Sequence, residues 1–164
     1  MKDNTSIYSD ILKSIKTTDD QEQLLSEIDI LLDALFQTRL GFEKSLESIS
    51  LQTAKVLKET FLKINLDVTN IDEVVNFLNE LKNKIKSLKT LKLYLAFFPS
   101  EDSIDKLFNW IINNLGNRII LSIQEEKTIL GGAIIEFDGN YLDYSLKKRL
   151  EDLFFKRKEA IFKI

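Results

Sequence analysis

The hydrophobic residues of this chain change their spacing near Thr90, and that change constrains the fold more than any other feature of the sequence. Up to Leu88 they recur three and four positions apart, which is the spacing of amphipathic helices. Beyond Thr90 every second residue is apolar, which predicts a strand through Leu91, Leu93, Leu95 and Phe97. The sequence therefore predicts an α+β protein, with an N-terminal antiparallel helical bundle over 1–88 and a small C-terminal domain over 89–164.

Four amphipathic helices are predicted in the first half, each with one apolar face. Helices of this kind are stable when those faces are buried against one another. Gly41 is expected to end the second helix. In chain order the four helices cover Thr5–Lys16, the stretch from a capping box at Thr18–Gln21 to Leu40, the stretch from Phe42 to Ile64, and the stretch from Asn70 to Leu88.

The second half is predicted to have the element order β-α-β-β-β-α. Pro99, the only proline, ends the first strand, and Ser100 is placed to cap the helix that follows. The apolar face of that helix ends at Gly116, and Arg118–Gln124 is predicted to be the second strand. Trp110 lies off the apolar face, so both a partner contact and a half-buried aromatic stay open for it.

A pair of glycines, Gly131 and Gly132, interrupts the next predicted strand, which continues to Phe137. Glycine packs no side chain and loses the most backbone entropy, so the pair indicates a bulge or the close approach of another backbone segment. A phosphate-binding loop is the alternative. It is disfavoured because the Gly-Lys-Ser/Thr ending of such loops is missing.

The hairpin that follows is marked by local sequence. Asp138-Gly139 supplies the positive φ of a tight turn, and Tyr141–Tyr144 is the returning strand. Ser145 is placed to cap a final helix from Leu146. Three carboxylates lie in this region, at Glu136, Asp138 and Asp143. They also suit an acid–base pair or a metal site, but turn chemistry explains them more simply.

The composition excludes several kinds of chemistry. The chain has no cysteine and no histidine, which removes disulfides, zinc sites of the usual kind, cysteine nucleophiles and Ser-His triads. Its net charge of −3 gives no general attraction to nucleic acid or to an anionic membrane. The sequence has no apolar run of about 18 residues, so no membrane span is predicted. The first ten residues lack the apolar core of a signal peptide, so the chain should stay where it is made. Because it has no cysteine, a cytosolic setting is expected. We expect no catalytic residue, metal or cofactor.

The ordered residues of the hairpin and the last helix resemble the C-terminal signature of the delta subunit of F-type ATP synthases. This is the peripheral-stalk subunit, the counterpart of the mitochondrial oligomycin sensitivity-conferring protein. The resemblance covers roughly Leu91–Leu153 and includes the helix start at Pro99-Ser100-Glu101. The signature residues are Gly131, Gly132, Ile135, Gly139, Asp143, Ser145, Arg149 and Leu150.

The resemblance implies a structural subunit without its own active site that links the catalytic F1 head to the membrane F0 sector. It places the protein at the cytoplasmic face of the cell membrane, as a peripheral part of a proton-translocating complex. Residues 1–88 would bind the N-terminal segments of the alpha subunits, and residues 89–164 the C-terminal helix of the b subunit. No nucleic acid, membrane insertion or small-molecule substrate is implied. The family usually has six helices in its N-terminal domain, whereas the spacing here predicts four.

Three cations open the last helix, at Lys147, Lys148 and Arg149. The helix dipole disfavours positive charge in a first turn, by roughly 0.3–1 kcal/mol each. The family has arginines at the positions of Lys147 and Arg149, so we predict that the three cations bind a partner, the alternative being a tolerated charge run. They should project outward, because the helix is predicted to pack against the core through Leu146, Leu150, Leu153, Phe154 and Ile161.

Three other identities stay open. The peripheral-stalk E subunit of related rotary ATPases also has a Gly-Gly strand before an Arg-Leu helix, but its N-terminal half is one long charged helix. Here Gly41 and the loop Asn65–Thr69 interrupt the helical pattern, which favours delta. A free-standing helical adaptor is the second alternative. A small enzyme with carboxylate chemistry is the third, and it would need a cleft with perturbed acids.

Overall fold

The computed structural model describes residues 7–37, 41–116 and 118–161. Helices and strands are both present in the described part, which confirms the α+β class. The helices are α1 (Ser9–Ser14), α2 (Thr18–Gln37), α3 (Phe42–Ser45), α4 (Leu51–Ile64), α5 (Ile71–Lys86), α6 (Glu101–Leu115) and α7 (Leu146–Ile161), with a 3₁₀ turn at Leu46–Ser48. The strands are β1 (Lys89–Leu95), β2 (Ile119–Glu125), β3 (Ala133–Phe137) and β4 (Asn140–Asp143).

The chain divides into two compact units. Of the described residues, the first unit contains those up to Leu88 together with Gly116 and Arg118, and the second contains Lys89–Leu115 and those from Ile119 onward.

In the first unit α2 and α5 run antiparallel. Gln21, near the start of α2, donates a hydrogen bond of 2.7 Å from Nε2 to the carbonyl oxygen of Ile85, near the end of α5. The apolar faces of both helices are buried, as their spacing predicts. Aromatic rings with centroids 4.9 Å apart link the helices in the order Tyr8, Phe77, Phe61 and Phe42.

The prediction of one helix from Phe42 to Ile64 is wrong. The chain forms α3 and the 3₁₀ turn, then becomes extended at Ile49 (φ −121°, ψ 172°). Ser50 starts α4 by accepting a hydrogen bond of 3.3 Å at Oγ from the Thr53 N–H. The described first half therefore has five α-helices and one 3₁₀ turn, where the sequence predicted four helices.

Two helix starts also differ from the prediction. The capping box of α2 lies one residue earlier, because Thr17 Oγ1 accepts a hydrogen bond from the Asp20 N–H and Asp20 accepts one from the Thr17 N–H. Helix α1 starts at Ser9, whereas the predicted start, Thr5, lies outside the described residues. The predicted end of the second helix, Leu40, also lies outside them.

The second unit is a four-stranded sheet in the order β2-β1-β3-β4. Strands β1 and β2 are parallel and joined through α6, and the remaining pairs are antiparallel. This confirms the order β-α-β-β-β-α. Helix α6 packs against the sheet, and the core between them consists of Leu91, Leu93, Phe108, Ile111, Ile119 and Leu121.

All four strands depart from their predicted boundaries, and β4 begins and ends one residue earlier than the predicted Tyr141–Tyr144. Strand β1 ends at Leu95, so Phe97 lies beyond it and is exposed. Strand β2 begins and ends one residue later than predicted. Gly131 and Gly132 precede β3 and do not interrupt a strand.

Candidate functional site

The two signature glycines form the junction between β3 and α7. The carbonyl oxygen of Gly131 accepts a hydrogen bond of 2.8 Å from the Leu146 N–H, and the Ala133 carbonyl accepts one of 2.9 Å from the Tyr144 N–H. Gly132 has φ +84°, and a Cβ at this position would lie 2.4 Å from the Tyr144 carbonyl oxygen. The predicted close approach of a second backbone segment is therefore present, and that segment is Tyr144–Leu146, which leads into α7.

The signature residue Gly139 completes the hairpin turn. Asp138 and Gly139 both have positive φ, of 52° and 80°, which is the geometry of a type I′ turn. The turn joins Phe137 to Asn140, and these two residues are paired in the sheet. Ile135, two residues before Phe137 in β3, packs against the core of the unit.

Asp143 and Ser145 together start α7. The Asp143 carboxylate accepts a hydrogen bond of 2.8 Å from the Ser145 N–H, and Ser145 Oγ accepts one of 3.2 Å from the Lys148 N–H. The cap predicted at Ser145 is therefore formed. Hydrogen bonds from Ser145 hold the pKa of the Asp143 carboxyl below its usual range, and the charges of Lys148 and Lys147 add to that lowering.

The apolar face of α7 is exposed, and the prediction that it packs against the core is wrong. We call Leu146, Leu150, Leu153 and Phe154 the α7 stripe; their exposed fractions lie between 39% and 67%. The physical reason is that α6 supplies the helix that packs on the core of this unit. Helix α7 is instead joined by the backbone hydrogen bond of its first residue, Leu146, to Gly131 in the segment before β3. The fifth predicted contact, Ile161, has a side chain outside the described set.

The three cations are exposed, as predicted, but they do not share one face. At about 100° per residue, Lys147 and Arg149 flank the α7 stripe on its two sides, and Lys148 lies on the opposite face. Lys148 also forms an ion pair of 3.3 Å with Asp152. Lys147 and Arg149 are therefore the cations placed to meet a molecule that covers the stripe.

The acids considered as an alternative site are engaged in separate contacts. Glu136 accepts hydrogen bonds from Lys92 Nζ at 3.0 Å and from the Tyr94 hydroxyl at 3.3 Å, and the Lys92 bond lowers the pKa of its carboxyl. Asp138 forms an ion pair of 3.1 Å with Lys89. Within residues 7–37, 41–116 and 118–161, no three His, Cys, Asp or Glu side chains are grouped as a metal site.

Two observations concern residues away from α7. Trp110 is exposed on α6, in agreement with its place off the apolar face. None of the helices in the described ranges is long and apolar enough to cross a membrane.

The first unit contains a hollow that the sequence did not indicate. It has a volume of about 120 Å³ and lies between α1, α2 and α4. Beside it, the buried carboxylate of Glu27 accepts hydrogen bonds from Gln23 Nε2 at 3.0 Å and Ser50 Oγ at 3.1 Å. The spacing of hydrophobic residues predicts which face of each helix is buried. It does not predict how closely the buried faces of three helices pack, so it does not predict the hollow. The apolar lining consists of Ile11, Ile15, Leu24, Val56 and Leu57.

Comparison with known proteins identifies similar sequences. The family model described as "ATP synthase delta (OSCP) subunit" matches residues 43–155. An ATP synthase subunit delta of Desulforapulum autotrophicum is 25% identical over 99 residues, which cover 59% of this chain and 54% of that protein. One of Rhodopseudomonas palustris is 27% identical over 108 residues, 66% of this chain and 57% of that protein. The match therefore spans little more than half the length of these two relatives.

A further relative is matched over most of its length. An ATP synthase subunit delta of Leptospira borgpetersenii is 25% identical over 169 aligned residues, which cover 91% of this chain and 88% of that protein. Among solved structures, a chain of the Toxoplasma gondii mitochondrial ATP synthase hexamer is similar with a TM-score of 0.36 and 15% identity, over 82% of this chain and 86% of that one. The family model matches well over half of the sequence. The chain belongs to the ATP synthase delta (OSCP) subunit family.

Proposed function

We propose that this protein is a non-catalytic peripheral-stalk subunit of a proton-translocating F-type ATP synthase. It links the catalytic F1 head to the membrane F0 sector at the cytoplasmic face of the cell membrane. The support is its family membership together with a fold of two compact units, which suits a protein that binds two partners. A stalk that resists the torque of the rotor needs binding surfaces and does not need a reacting side chain.

The single observation that carries the proposal is the exposed α7 stripe. A helix with an unpaired apolar stripe is a surface that a second amphipathic helix covers. The second unit accordingly binds the C-terminal helix of the b subunit through the α7 stripe. Lys147 and Arg149, on either side of the stripe, favour acidic side chains on that helix.

The first unit binds the N-terminal segments of the alpha subunits. The hollow between α1, α2 and α4 supports this assignment, because it is lined by both apolar and polar side chains, which suit an amphipathic segment. Gln23 and Ser50 are among the polar lining residues, and their side chains already donate hydrogen bonds to Glu27. A segment bound there would approach the start of α4 and the start of α2.

The alternative identities have less support. An E-type stalk protein has one long N-terminal helix, whereas the described first half is divided into short helices by several breaks. The match to the delta family over residues 43–155 argues against a free-standing adaptor. An enzyme with carboxylate chemistry would need its acids in one cleft, but Glu136, Asp138 and Asp143 are each held by a different partner. Calorimetry with ATP and magnesium should show no binding, and micromolar affinity would overturn the non-catalytic assignment.

The assignment of the b subunit as partner is tested by titrating the full chain with a synthetic peptide, here called the b peptide, that has the sequence of its C-terminal helix. The variant Leu150→Ser/Leu153→Ser removes the centre of the α7 stripe and should weaken binding at least tenfold, since burying one leucine contributes about 1.5–3 kcal/mol. The matched control is Leu62→Ser, an exposed leucine on α4 in the first unit. The control should bind as the wild type does. Equal affinity for all three proteins would refute the assignment.

A further inference from the structure

Four large side chains are exposed at one end of the sheet in the second unit. Each is more than half exposed, and none belongs to the α7 stripe. Single exposed apolar residues are common on protein surfaces, but a group of them at one place indicates an interaction site. We call this group the sheet-end patch; it consists of Phe97, Phe98, Leu130 and Tyr144.

Strand register places these residues at the same end. Leu95, the last residue of β1, is paired with Ala133, the first residue of β3. The Tyr144 N–H donates to the Ala133 carbonyl at 2.9 Å, and the Glu126 N–H donates to the Leu95 carbonyl at 2.7 Å. The segments that follow β1, precede β3 and follow β4 therefore leave the sheet side by side.

The sheet-end patch is continuous with the start of the α7 stripe. The Leu146 side chain lies over Gly131, since a Cβ built on Gly131 would be 3.9 Å from the Leu146 Cβ. Leu130 directly precedes that glycine, and Tyr144 lies two residues before Leu146. A helix that covers the α7 stripe and extends past the first turn of α7 arrives at the sheet-end patch.

Charge distinguishes the two surfaces. The segments around the sheet-end patch contain more acids than bases. The acids are Glu101, Asp102, Glu125 and Glu126, and the bases are Lys127 and Lys106, of which Lys106 forms an ion pair of 2.6 Å with Asp102. The start of α7 is basic, through Lys147 and Arg149. A partner that lies across both surfaces meets basic side chains beside the first turn of α7 and acidic side chains around the sheet-end patch. Matched charges on the partner would therefore set its direction.

We propose that one amphipathic helix covers the α7 stripe and the sheet-end patch together, and that this helix is bipolar. Its acidic residues lie beside Lys147 and Arg149, and its basic residues lie over the acidic rim of the sheet-end patch. This inference rests on the proposed function, because it takes the occupant of the α7 stripe to be a partner helix. It adds a second contact surface and fixes the direction in which that helix is bound.

The test uses the full chain and the same b peptide. Phe97→Ser/Phe98→Ser should weaken binding at least tenfold. Its matched control is Trp110→Ser, which changes an exposed aromatic residue on α6 outside the patch and should alter affinity less than twofold. Circular dichroism melting of each variant shows whether the fold is retained, and Leu130→Ser serves as a second patch variant if the double variant is unfolded.

The charge prediction has its own variant. Glu125→Lys should weaken peptide binding about threefold at low salt, and the loss should shrink as salt is added. Glu47→Lys, on the first unit, is the control and should have no effect. A second peptide with its Lys and Arg residues replaced by Glu should bind the wild type more weakly than it binds Glu125→Lys.

The outcomes separate the inference from the function on which it rests. If Leu150→Ser/Leu153→Ser weakens binding and the patch variants do not, the second surface is refuted and the α7 assignment stands. If neither set has an effect, both are refuted. If the stripe variant and the patch variants both weaken binding, and Glu125→Lys weakens it in a salt-dependent way, the bipolar helix is supported. If the patch variants weaken binding but Glu125→Lys does not, the proposed direction of the bound helix is refuted.

Discussion

Replacing Gly132 with alanine should destabilise the junction between β3 and α7 by about 2–5 kcal/mol. The positive φ of +84° costs an alanine about 1–2 kcal/mol. The new Cβ would lie 2.4 Å from the Tyr144 carbonyl oxygen and 3.0 Å from the Ser145 Cα, both backbone atoms, so one segment must move. That movement strains the hydrogen bonds donated by Leu146 and Tyr144, which contribute about 0.5–1.5 kcal/mol each.

The other glycines of the hairpin are matched controls. Gly139 has φ +80° but no heavy atom within 4 Å of a built Cβ, so Gly139→Ala should cost only the conformational term, about 1–2 kcal/mol. Gly131 has ordinary contact distances of 3.9 and 4.0 Å, so Gly131→Ala should change stability by less than about 1 kcal/mol. The predicted order of destabilisation is Gly132, then Gly139, then Gly131.

Amide hydrogen exchange measured by NMR reports this junction directly. In Gly132→Ala the amides of Leu146 and Tyr144 should exchange at least about 30-fold faster than in the wild type, which corresponds to 2 kcal/mol of local opening. Peptide binding by α7 should weaken in the same variant, because the direction of the helix is altered. If the amides of Leu146 and Tyr144 exchange no faster in Gly132→Ala than in Gly139→Ala, close backbone packing is not what requires a glycine at position 132.

Three further results are expected. Ser145→Ala should cost about 1 kcal/mol through loss of the helix cap, seen as a lower urea midpoint, and an unchanged midpoint would contradict the capping role. The pKa of the Asp143 carboxyl is lower in the folded protein than its unfolded value of about 4, so the ionised carboxylate stabilises the fold. This stabilisation is fully present above the unfolded pKa and is lost as the pH falls through the folded pKa. Asp143→Asn should reduce that acid sensitivity in pH-dependent melting, and an unchanged pH profile would count against it. Replacing the three cations with Glu should leave the melting temperature equal or slightly higher, because the dipole conflict is removed, while peptide binding weakens at low salt. Single variants should assign that loss to Lys147 and Arg149 and not to Lys148; equal affinity for the triple variant would place the binding surface elsewhere.

Local chemistry made the hairpin predictable from sequence. Asp138-Gly139 can adopt the positive φ values of the turn at low cost, and Ser145 has the short hydroxyl side chain that caps a helix. These preferences involve residues a few positions apart, so the sequence contains the information needed. The alternation after Thr90 likewise predicted β1, because one face of that strand packs on α6.

Two failures have equally specific causes. The sequence does not reveal the break at Ile49, because apolar residues keep a helical spacing across it and Ser50 looks like any serine on the polar face of a helix. The exposure of the α7 stripe was missed because an amphipathic helix looks the same in sequence whether its apolar face meets its own core or another protein. Leu150 and Leu153 have the spacing of core residues, and only the packing of the folded unit shows that nothing in its described part covers them.

The most direct test of the central claim is whether the full chain binds both partners at once. The chain is mixed with an F1 head depleted of its own delta subunit and with the soluble part of the b subunit, and the mixture is analysed by size-exclusion chromatography with light scattering. The account predicts one ternary complex, and it predicts that Leu150→Ser/Leu153→Ser keeps the head but loses the b subunit. Failure to bind either partner, or competition between the head and the b subunit for the chain, would contradict a linking role.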